Sequence, residues 1–259
     1  MELPEELKEF AYIPNFLNKI EQLKGKIMTE PWNYHDESDS TNPVLVNYLS
    51  HTYNRLVKER ETLELADKNK VIFLKQEQAC INTGLINDDY EYLYMYFEKN
   101  TNPGQQPWVF KSYLKEKNPW LNRQFSPLPK RAKFFSEISN LIFDTSKRIE
   151  INMDHIREHK ERLPGAIRDS LNLETIINGA LDVAKRKIEV NYKTAVPQYY
   201  DGEVQFLIPL CLLNTKDVDV ALVVKDYGQN YFGKTCFTLD MAYNNARLIA
   251  KPESNWLIP

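Results

Sequence analysis

The spacing of apolar residues predicts helices in the first quarter of the chain. Apolar side chains recur at helical intervals between residues 4 and 28, where Pro14 is expected to divide the segment into two short helices. Asn42 followed by Pro43 is typical of a helix start, and the apolar stripe beyond it continues to about Leu65. We therefore predict an N-terminal helical part.

The period changes near Lys70, and the segments that follow are typical of strands. Three of them are rich in β-branched and aromatic residues and predict an antiparallel meander, at 71–74, 78–81 and 92–97. Repeated prolines in residues 99–130 instead predict a long irregular segment, which often serves a function or covers a core.

Short strands and helices alternate in the second half of the chain. The predicted elements are strands at 141–143 and 148–151, helices at 154–161 and 172–188, strands at 204–213, 218–224 and 235–239, and a short helix from Asp240. Since no repeat or linker separates them, we predict a single α+β domain over residues 1–259. It has an N-terminal helical extension, residues 1–66, and a mainly antiparallel sheet core with covering helices, residues 67–259.

Composition narrows the class of protein. Hydrophobic residues make up 42% of the chain, enough for a sizeable core, and the net charge of −3 gives no general attraction to nucleic acid, so such binding needs a local basic face. Three cysteines in apolar surroundings predict core thiols of a reducing compartment. No apolar run reaches the roughly 18 residues of a membrane span. The acidic N-terminus lacks a signal-peptide core, so we predict a cytoplasmic protein.

The densest group of polar side chains lies near the C-terminus. Asp240, Tyr243, Asn244 and Arg247 fall on one face of a helix, at i, i+3, i+4 and i+7. Arg247 could hold a phosphate, Tyr243 could stack on a base or sugar, and Asn244 could read a base edge. An ion pair of Asp240 that serves only the fold explains the same spacing equally well.

A second polar cluster follows a predicted strand and opens a helix. In the functional interpretation His155 is a general acid or base, Asp154 tunes it and Arg162 binds phosphate. In the alternative interpretation this segment is only a helix cap with a solvated face. Asn82 and Thr83, at the end of another predicted strand, either bond a ligand or form a plain turn.

Two motif matches favour structural explanations. Gly228–Thr235 fits the phosphate-loop pattern, but Tyr231 and Phe232 occupy positions where the backbone must approach phosphate, so a hairpin turn is preferred. His155 and His159 have the spacing of metal ligands without a clear third partner, which favours an exposed charged helix. No metal and no cofactor are predicted.

The segment Lys111–Lys133 is the best local basic patch, because it carries seven cations, one acid and interleaved aromatic residues. Such a flexible loop could hold a single strand or a nucleotide. A surface loop pinned by buried aromatic side chains is the alternative.

Several of these motifs resemble a bacterial domain of unknown function. The similarity covers roughly residues 30–259 and rests on Asn82-Thr-Gly-Leu85, Asn152 with Asp154-His155-Ile156, Arg162 before Pro164, and above all Thr238-Leu-Asp-Met-Ala-Tyr-Asn-Asn-Ala-Arg247 with Pro252 and Trp256-Leu257. That domain occurs beside cold-shock and OST-HTH (LOTUS-type) RNA-binding domains, so the resemblance implies an RNA-linked or nucleotide-linked role without a mechanism. The chain departs from the pattern at Lys234 and His159, and we expect no appended RNA-binding domain in it.

We therefore predict a pocket for RNA or a nucleotide near the C-terminal strand, with no membrane partner. Its expected ligand-binding residues are Asn82, Thr83, Arg162, Tyr243, Asn244 and Arg247. If the protein is an enzyme, we expect metal-independent phosphoester chemistry of a phosphoesterase or nuclease type, with His155, Asp154 and Asp240 as catalytic residues. The alternative is a non-catalytic protein-interaction module whose polar clusters are structural.

Overall fold

The structure, a computed structural model, describes residues 2–34 and 41–257. Within them the chain forms seven α-helices and two five-stranded sheets, which confirms the predicted α+β class. The fold divides into two compact units, residues 1–133 and 134–259, each with its own sheet. The predicted helical part, residues 1–66, is thus the beginning of the first unit, and the prediction of one domain stays a prediction.

The first unit begins with helices and continues as an antiparallel meander. Its elements are α1 (Leu7–Phe10), β1 (Ala11–Tyr12), α2 (Phe16–Lys24), α3 (Pro43–Glu61), β2 (Ile72–Leu74), β3 (Gln78–Ile86), β4 (Tyr92–Lys99), β5 (Trp108–Lys115) and α4 (Pro119–Gln124). The sheet order is β1-β5-β4-β3-β2, antiparallel except for β1, which pairs with β5 in parallel. The predicted meander and the division at Pro14 are confirmed.

The prediction of an irregular segment over residues 99–130 is wrong in large part, because β5 and α4 lie within it. The prolines of this segment lie at the ends of these elements and do not interrupt them. Pro119 is the first residue of α4, where its missing N–H leaves no helical hydrogen bond unmade. Asn118 caps the helix by accepting hydrogen bonds from the N–H groups of Trp120 and Leu121, at 3.0 Å each.

A bulge lies inside β3 at the place where the sequence suggests a strand end. Regular pairing with β4 is interrupted between Asn82 and Ile86. Gly84, within the bulge, has a φ angle of 74°, in the left-handed region that favours glycine. A Cβ atom at this position would lie 2.6 Å from Oη of Tyr48 on α3. Both the backbone conformation and the available space therefore require glycine.

The second unit is built on a sheet with helices on both faces. Its elements are β6 (Arg148–Ile151), α5 (Met153–Glu158), α6 (Leu173–Val190), β7 (Val196–Tyr200), β8 (Glu203–Leu210), β9 (Val220–Asp226), β10 (Asn230–Phe237) and α7 (Leu239–Ile249). The sheet order is β6-β10-β9-β8-β7, antiparallel except that β6 pairs with β10 in parallel.

Helix α6 covers one face of this sheet. Its buried residues recur every three or four positions: Leu173, Ile177, Leu181, Ala184 and Ile188. They pack with alternate strand residues, among them Phe206, Ile208 and Leu210 of β8. Because side chains of a strand alternate between the two faces, the residues between these positions project to the face opposite α6.

One strand in the second unit is missed by the sequence analysis and one predicted strand is wrong. β7 contains Pro197 and the polar Gln198, which hide its strand character. The predicted strand at 141–143 is absent, because residues 138–141 form a 3-10 turn. The apolar Phe143 beside that turn instead stacks on Tyr231, with ring centroids 4.4 Å apart.

Two hairpin turns explain two glycines of the second unit, Gly202 and Gly228. Asp201 and Gly202, which join β7 to β8, both have positive φ angles, 51° and 84°, as a two-residue hairpin turn of type I′ requires. Gly228, with φ 87°, turns the chain from β9 into β10. The segment that matches a phosphate loop is therefore a turn and a strand, as predicted.

No helix in the described part of the chain has the length and apolar character needed to cross a membrane.

Candidate functional site

Strand β6 pairs with only the first half of β10, which leaves the edge of the second half without a strand partner in the part of the chain that the structure describes. The two strands pair over Asn230–Gly233, and the N–H of Asn152 then donates to the Gly233 carbonyl at 2.9 Å. From there the chain turns into α5, which contacts β10 and is capped by Asn152, whose Oδ1 accepts the N–H of His155 at 3.1 Å. The 3-10 turn Lys160–Arg162 follows, and its last residue reaches the uncovered part of β10.

Arg162 is held on β10 by a hydrogen bond and an aromatic ring. Its Nη1 donates to Oγ1 of Thr235 at 3.2 Å, and its Cζ lies 5.8 Å from the centroid of the Phe237 ring. Its ion pair in the described part of the chain is a long one, 3.7 Å from Nε to the neighbouring Glu161. The guanidinium group is thus fixed in position while Nη2 keeps donors for a further group.

Arg162 contacts the face of the sheet opposite α6. Cys236 belongs to the core under α6, whereas Thr235 and Phe237 do not, and alternation places these two on the other face. The ring of Tyr200 lies 5.8 Å from that of Phe237, so β7 contributes to the same face. We call it the polar sheet face, and its residues are Arg162, Gln198, Tyr200, Glu203, Gln205, Lys225, Thr235 and Phe237. Lys234 is added to it because it lies at an irregularity in the pairing of β10 with β9 and its charge acts on Glu203.

The polar sheet face carries more cations than carboxylates. Glu203 pairs with Lys225 at 2.6 Å and accepts a hydrogen bond from Nε2 of Gln205 at 2.9 Å. Burial alone would raise the pKa of Glu203, but these hydrogen bonds and the charges of Lys225 and Lys234 hold it below its ordinary value. Glu203 is the one carboxylate in this set, beside Lys225, Lys234 and Arg162, and α7 adds Asp240 and Arg247 over the same face. The excess of cations attracts anions.

Two buried amides lie side by side on this face. Gln198 of β7 and Gln205 of β8 are directly paired in the sheet register and are 0% and 1% exposed. Among the described residues, neither polar atom of the Gln198 amide has a hydrogen-bond partner, and Oε1 of Gln205 has none. Buried amides are nearly always hydrogen-bonded, so three open polar atoms in one place require an explanation.

Helix α7 carries the predicted C-terminal cluster and confirms the short helix predicted from Asp240. It contacts β7, β9 and β10, and its residues are absent from the core under α6, so it covers the polar sheet face. Tyr243 and Arg247 are buried, Asp240 and Asn244 are half-buried, and each of the four is engaged with another group. Their roles in binding or catalysis stay predictions.

His155 has a different carboxylate beside it from the one predicted. Its Nδ1 lies 3.1 Å from Oε2 of Glu158, and its ring meets that of His159 edge-on at 4.7 Å. Asp154 points away, 94% exposed and 3.4 Å from Arg157. In the described residues no contact joins the imidazole to the polar sheet face, and no group of three or more His, Cys, Asp or Glu side chains could hold a metal ion.

Asn82 and Thr83 belong to the first unit and stabilise its bulge. Asn82 donates to Oη of Tyr94 at 3.1 Å and accepts the N–H of Gly84 at 2.8 Å. Thr83 donates to the carbonyl of Leu93 at 2.7 Å. Both side chains are buried, so their hydrogen bonds explain these residue types without a ligand. Their predicted role in ligand binding stays a prediction.

The basic segment Lys111–Lys133 is ordered over much of its length by β5 and α4. Its first lysines are paired across the surface, Lys111 with Glu98 at 2.9 Å, Lys115 with Asp89 at 3.1 Å and Lys117 with Glu91 at 3.5 Å. Phe125 is buried and packs edge-on against Phe73 and Tyr96. The arrangement agrees better with the alternative of buried, pinning aromatic residues than with a flexible binding platform.

A cavity of about 390 Å³ in the first unit is poorly suited to an anion. It lies at the end of α3 and is lined by Glu2, Leu3, Val57, Arg60, Glu61 and Lys68. Its two carboxylates balance its two cations, and the carbonyl end of a helix disfavours negative charge.

Gln198, Tyr200 and Gln205 are not among the residues predicted from the sequence. The signal that could have found them is the Asp201-Gly202 pair, a strong hairpin indicator. Centred on that turn, the two glutamines fall opposite each other, at positions where an amphipathic strand would bury apolar residues.

The fold and the site define a class of protein: two α+β units, of which the second presents a cationic and aromatic sheet face with buried amides. The chain belongs to the family described as domain of unknown function DUF3825, whose model matches residues 23–256. Comparisons with curated proteins and with solved structures found no match.

Proposed function

We propose that the polar sheet face binds a nucleotide, either free or as a unit of single-stranded RNA. The observation that carries the proposal is the fixed guanidinium group of Arg162. Thr235 and Phe237 hold it in place, its ion pair with the exposed Glu161 is long, at 3.7 Å, and it is half-buried. A guanidinium held in this way is preorganised for the oxygen atoms of a phosphate group.

An aromatic surface beside the cation suits a nucleotide better than inorganic phosphate. Tyr200 is 50% exposed and its ring meets Phe237 edge-on, which leaves a face of the tyrosine ring open for stacking. Stacking of a base on an aromatic side chain contributes about 1–3 kcal/mol in proteins that bind single strands. Arg162 would hold the phosphate and Tyr200 the base.

The resemblance to a domain that occurs beside cold-shock and LOTUS-type RNA-binding domains supports the same proposal, as does the predicted cytoplasmic location.

The geometry supports catalysis less well than it supports binding. The acid or base role of His155 stays a prediction, because its ring contacts Glu158 and His159 on the exposed side of α5. Binding is therefore the part of the hypothesis that the geometry favours.

Binding can be tested with Arg162→Met. We expect fluorescence anisotropy to show that the wild-type chain binds a short labelled single-stranded RNA, and competition to show that it binds mononucleotides. The variant should bind both at least about 10-fold more weakly, because charge-assisted hydrogen bonds contribute roughly 1.5–3 kcal/mol. A competing mononucleotide separates a free nucleotide from an RNA strand as the preferred ligand.

Arg157→Met is the matched control, since it removes the same charge from the same segment. Arg157 lies on α5 and pairs with Asp154 and Glu174 at 3.4 and 3.5 Å. We expect its affinity to stay within about twofold of wild type at 150 mM salt, where exposed charges are screened. Equal losses in both variants, or no binding by the wild-type chain, would reject the proposal in favour of a protein-interaction module with structural polar clusters.

A further inference from the structure

The open polar atoms of the two buried glutamines form a defined hydrogen-bonding pattern. Gln198 has its amide oxygen and its NH2 group without partners among the described residues, while Gln205 has its oxygen open and its NH2 group on Glu203. The pair therefore offers two acceptors and one donor group. Because the two residues are directly opposite in neighbouring strands, their side chains emerge about 5 Å apart at Cβ.

Nucleobases differ in how they complement such a pattern. The amino group of adenine or cytosine donates two hydrogen bonds, and the ring nitrogen beside it accepts one. Uracil and hypoxanthine present a carbonyl oxygen and a ring N–H instead, so they offer one donor to the two amide oxygens, whereas adenine and cytosine offer two. A glutamine amide that bonds adenine in both directions is an established mode of base recognition.

The amides lie on the same face as the proposed phosphate and stacking groups. Gln198 is two residues from Tyr200 in β7, so both project to one side of the sheet. Tyr200 contacts Phe237, and Phe237 contacts Arg162. Contacts through Phe237 and Tyr200 thus connect the guanidinium of Arg162 to β7, the strand that carries Gln198.

We infer that this face selects a nucleotide whose base carries an exocyclic amino group, adenine or cytosine, through Gln198 and Gln205. The inference rests on the proposed function and names the class of base. Both amides are closed to solvent, and α7 covers the strand that carries Gln198, so the inference requires α7 to move aside for the base to enter. The bound base then satisfies the polar atoms that are open in its absence.

Two pairs of nucleotides test the selection, because the members of each pair differ at this edge of the base. We expect the full chain to bind AMP at least about 10-fold more tightly than IMP, and CMP more tightly than UMP by a similar factor. Isothermal titration measures all four affinities. Equal affinities within both pairs would overturn the selection and leave the proposed nucleotide binding intact, whereas no binding of any nucleotide or RNA would overturn both.

Gln198→Leu assigns the selection to the amide. Leucine fills similar space without polar atoms, so the variant should fold and unfold at the same or a higher temperature than wild type. We expect its AMP to IMP ratio to fall to within about twofold of one. Gln229→Leu, at an exposed turn, is the control and should keep the wild-type ratio. A Gln198→Leu variant that keeps the full preference would show that the amides serve only the fold.

Discussion

Replacing Tyr231 with alanine is expected to destabilise the second unit by about 4 kcal/mol, the usual range for a buried aromatic side chain being roughly 3–5 kcal/mol. The ring is 1% exposed and stacks on Phe143 at 4.4 Å, with an interplanar angle of 15°. Its Oη accepts the N–H of Asp144 at 2.9 Å, and Nζ of Lys147 lies 5.1 Å from its centroid. The truncation removes all of these contacts and leaves a cavity.

Denaturant unfolding followed by circular dichroism measures this loss. Tyr231→Phe separates the hydroxyl from the ring and should cost about 1 kcal/mol, the contribution of one hydrogen bond. Tyr227→Ala, at an exposed site in the next turn, is the matched control and should cost less than about 1 kcal/mol. If Tyr231→Ala were no worse than Tyr227→Ala, the stacked pair would not anchor the segment before β6.

Gly84→Ala is expected to destabilise the first unit by about 3 kcal/mol. The φ angle of 74° costs alanine about 1 kcal/mol, and a Cβ atom 2.6 Å from Oη of the buried Tyr48 adds a clash of roughly 1–3 kcal/mol. Relief of the clash would require movement of α3 or of the bulge that Asn82 and Thr83 hold. Thermal and denaturant unfolding both report the loss.

Gly104 provides a control with the same conformation and open space. Its φ angle is also 74°, but a Cβ atom there would meet nothing within 4 Å. Gly104→Ala should therefore cost only the conformational part, about 1 kcal/mol. The difference between the two variants measures the clash. Equal effects of the two substitutions would mean that Tyr48 yields freely to the added methyl group.

Some of the fold can be predicted from the sequence because local signals agree with the final structure. Apolar periodicity predicts α3 and α6, and the β-branched and aromatic segments predict β2 to β4. Where a local signal has two meanings, prediction fails. Prolines at the ends of β5 and α4 cannot be told apart in the sequence from prolines that interrupt regular structure. Phe143 is apolar because it packs in the core, although it does not belong to a strand.

The candidate site, like the fold, is predicted where local signals suffice and missed where distant residues meet. Arg162 is found from its place beside a predicted helix, but its partners Thr235 and Phe237 lie more than 70 residues away, and only strand pairing brings them together. Gln198 and Gln205 are missed because polar residues at buried strand positions contradict the usual alternation. For Asn82 and Thr83 the side-chain chemistry is recognised, while the bulge that explains it depends on pairing with β4.

The parallel pairing of β6 with β10 has a consequence for how the site is assembled. Strands β7, β8 and β9 each pair with the next strand in the chain, whereas Arg148 of β6 pairs with Asn230, across a long stretch of chain that includes α6. Closing that longer loop carries the larger entropic barrier, so the four-stranded hairpin array should form before β6 joins its edge. The guanidinium of Arg162, just downstream of β6, should therefore reach β10 only in the last stage of folding, and a chain stalled before that stage would hold a sheet without the proposed anion site.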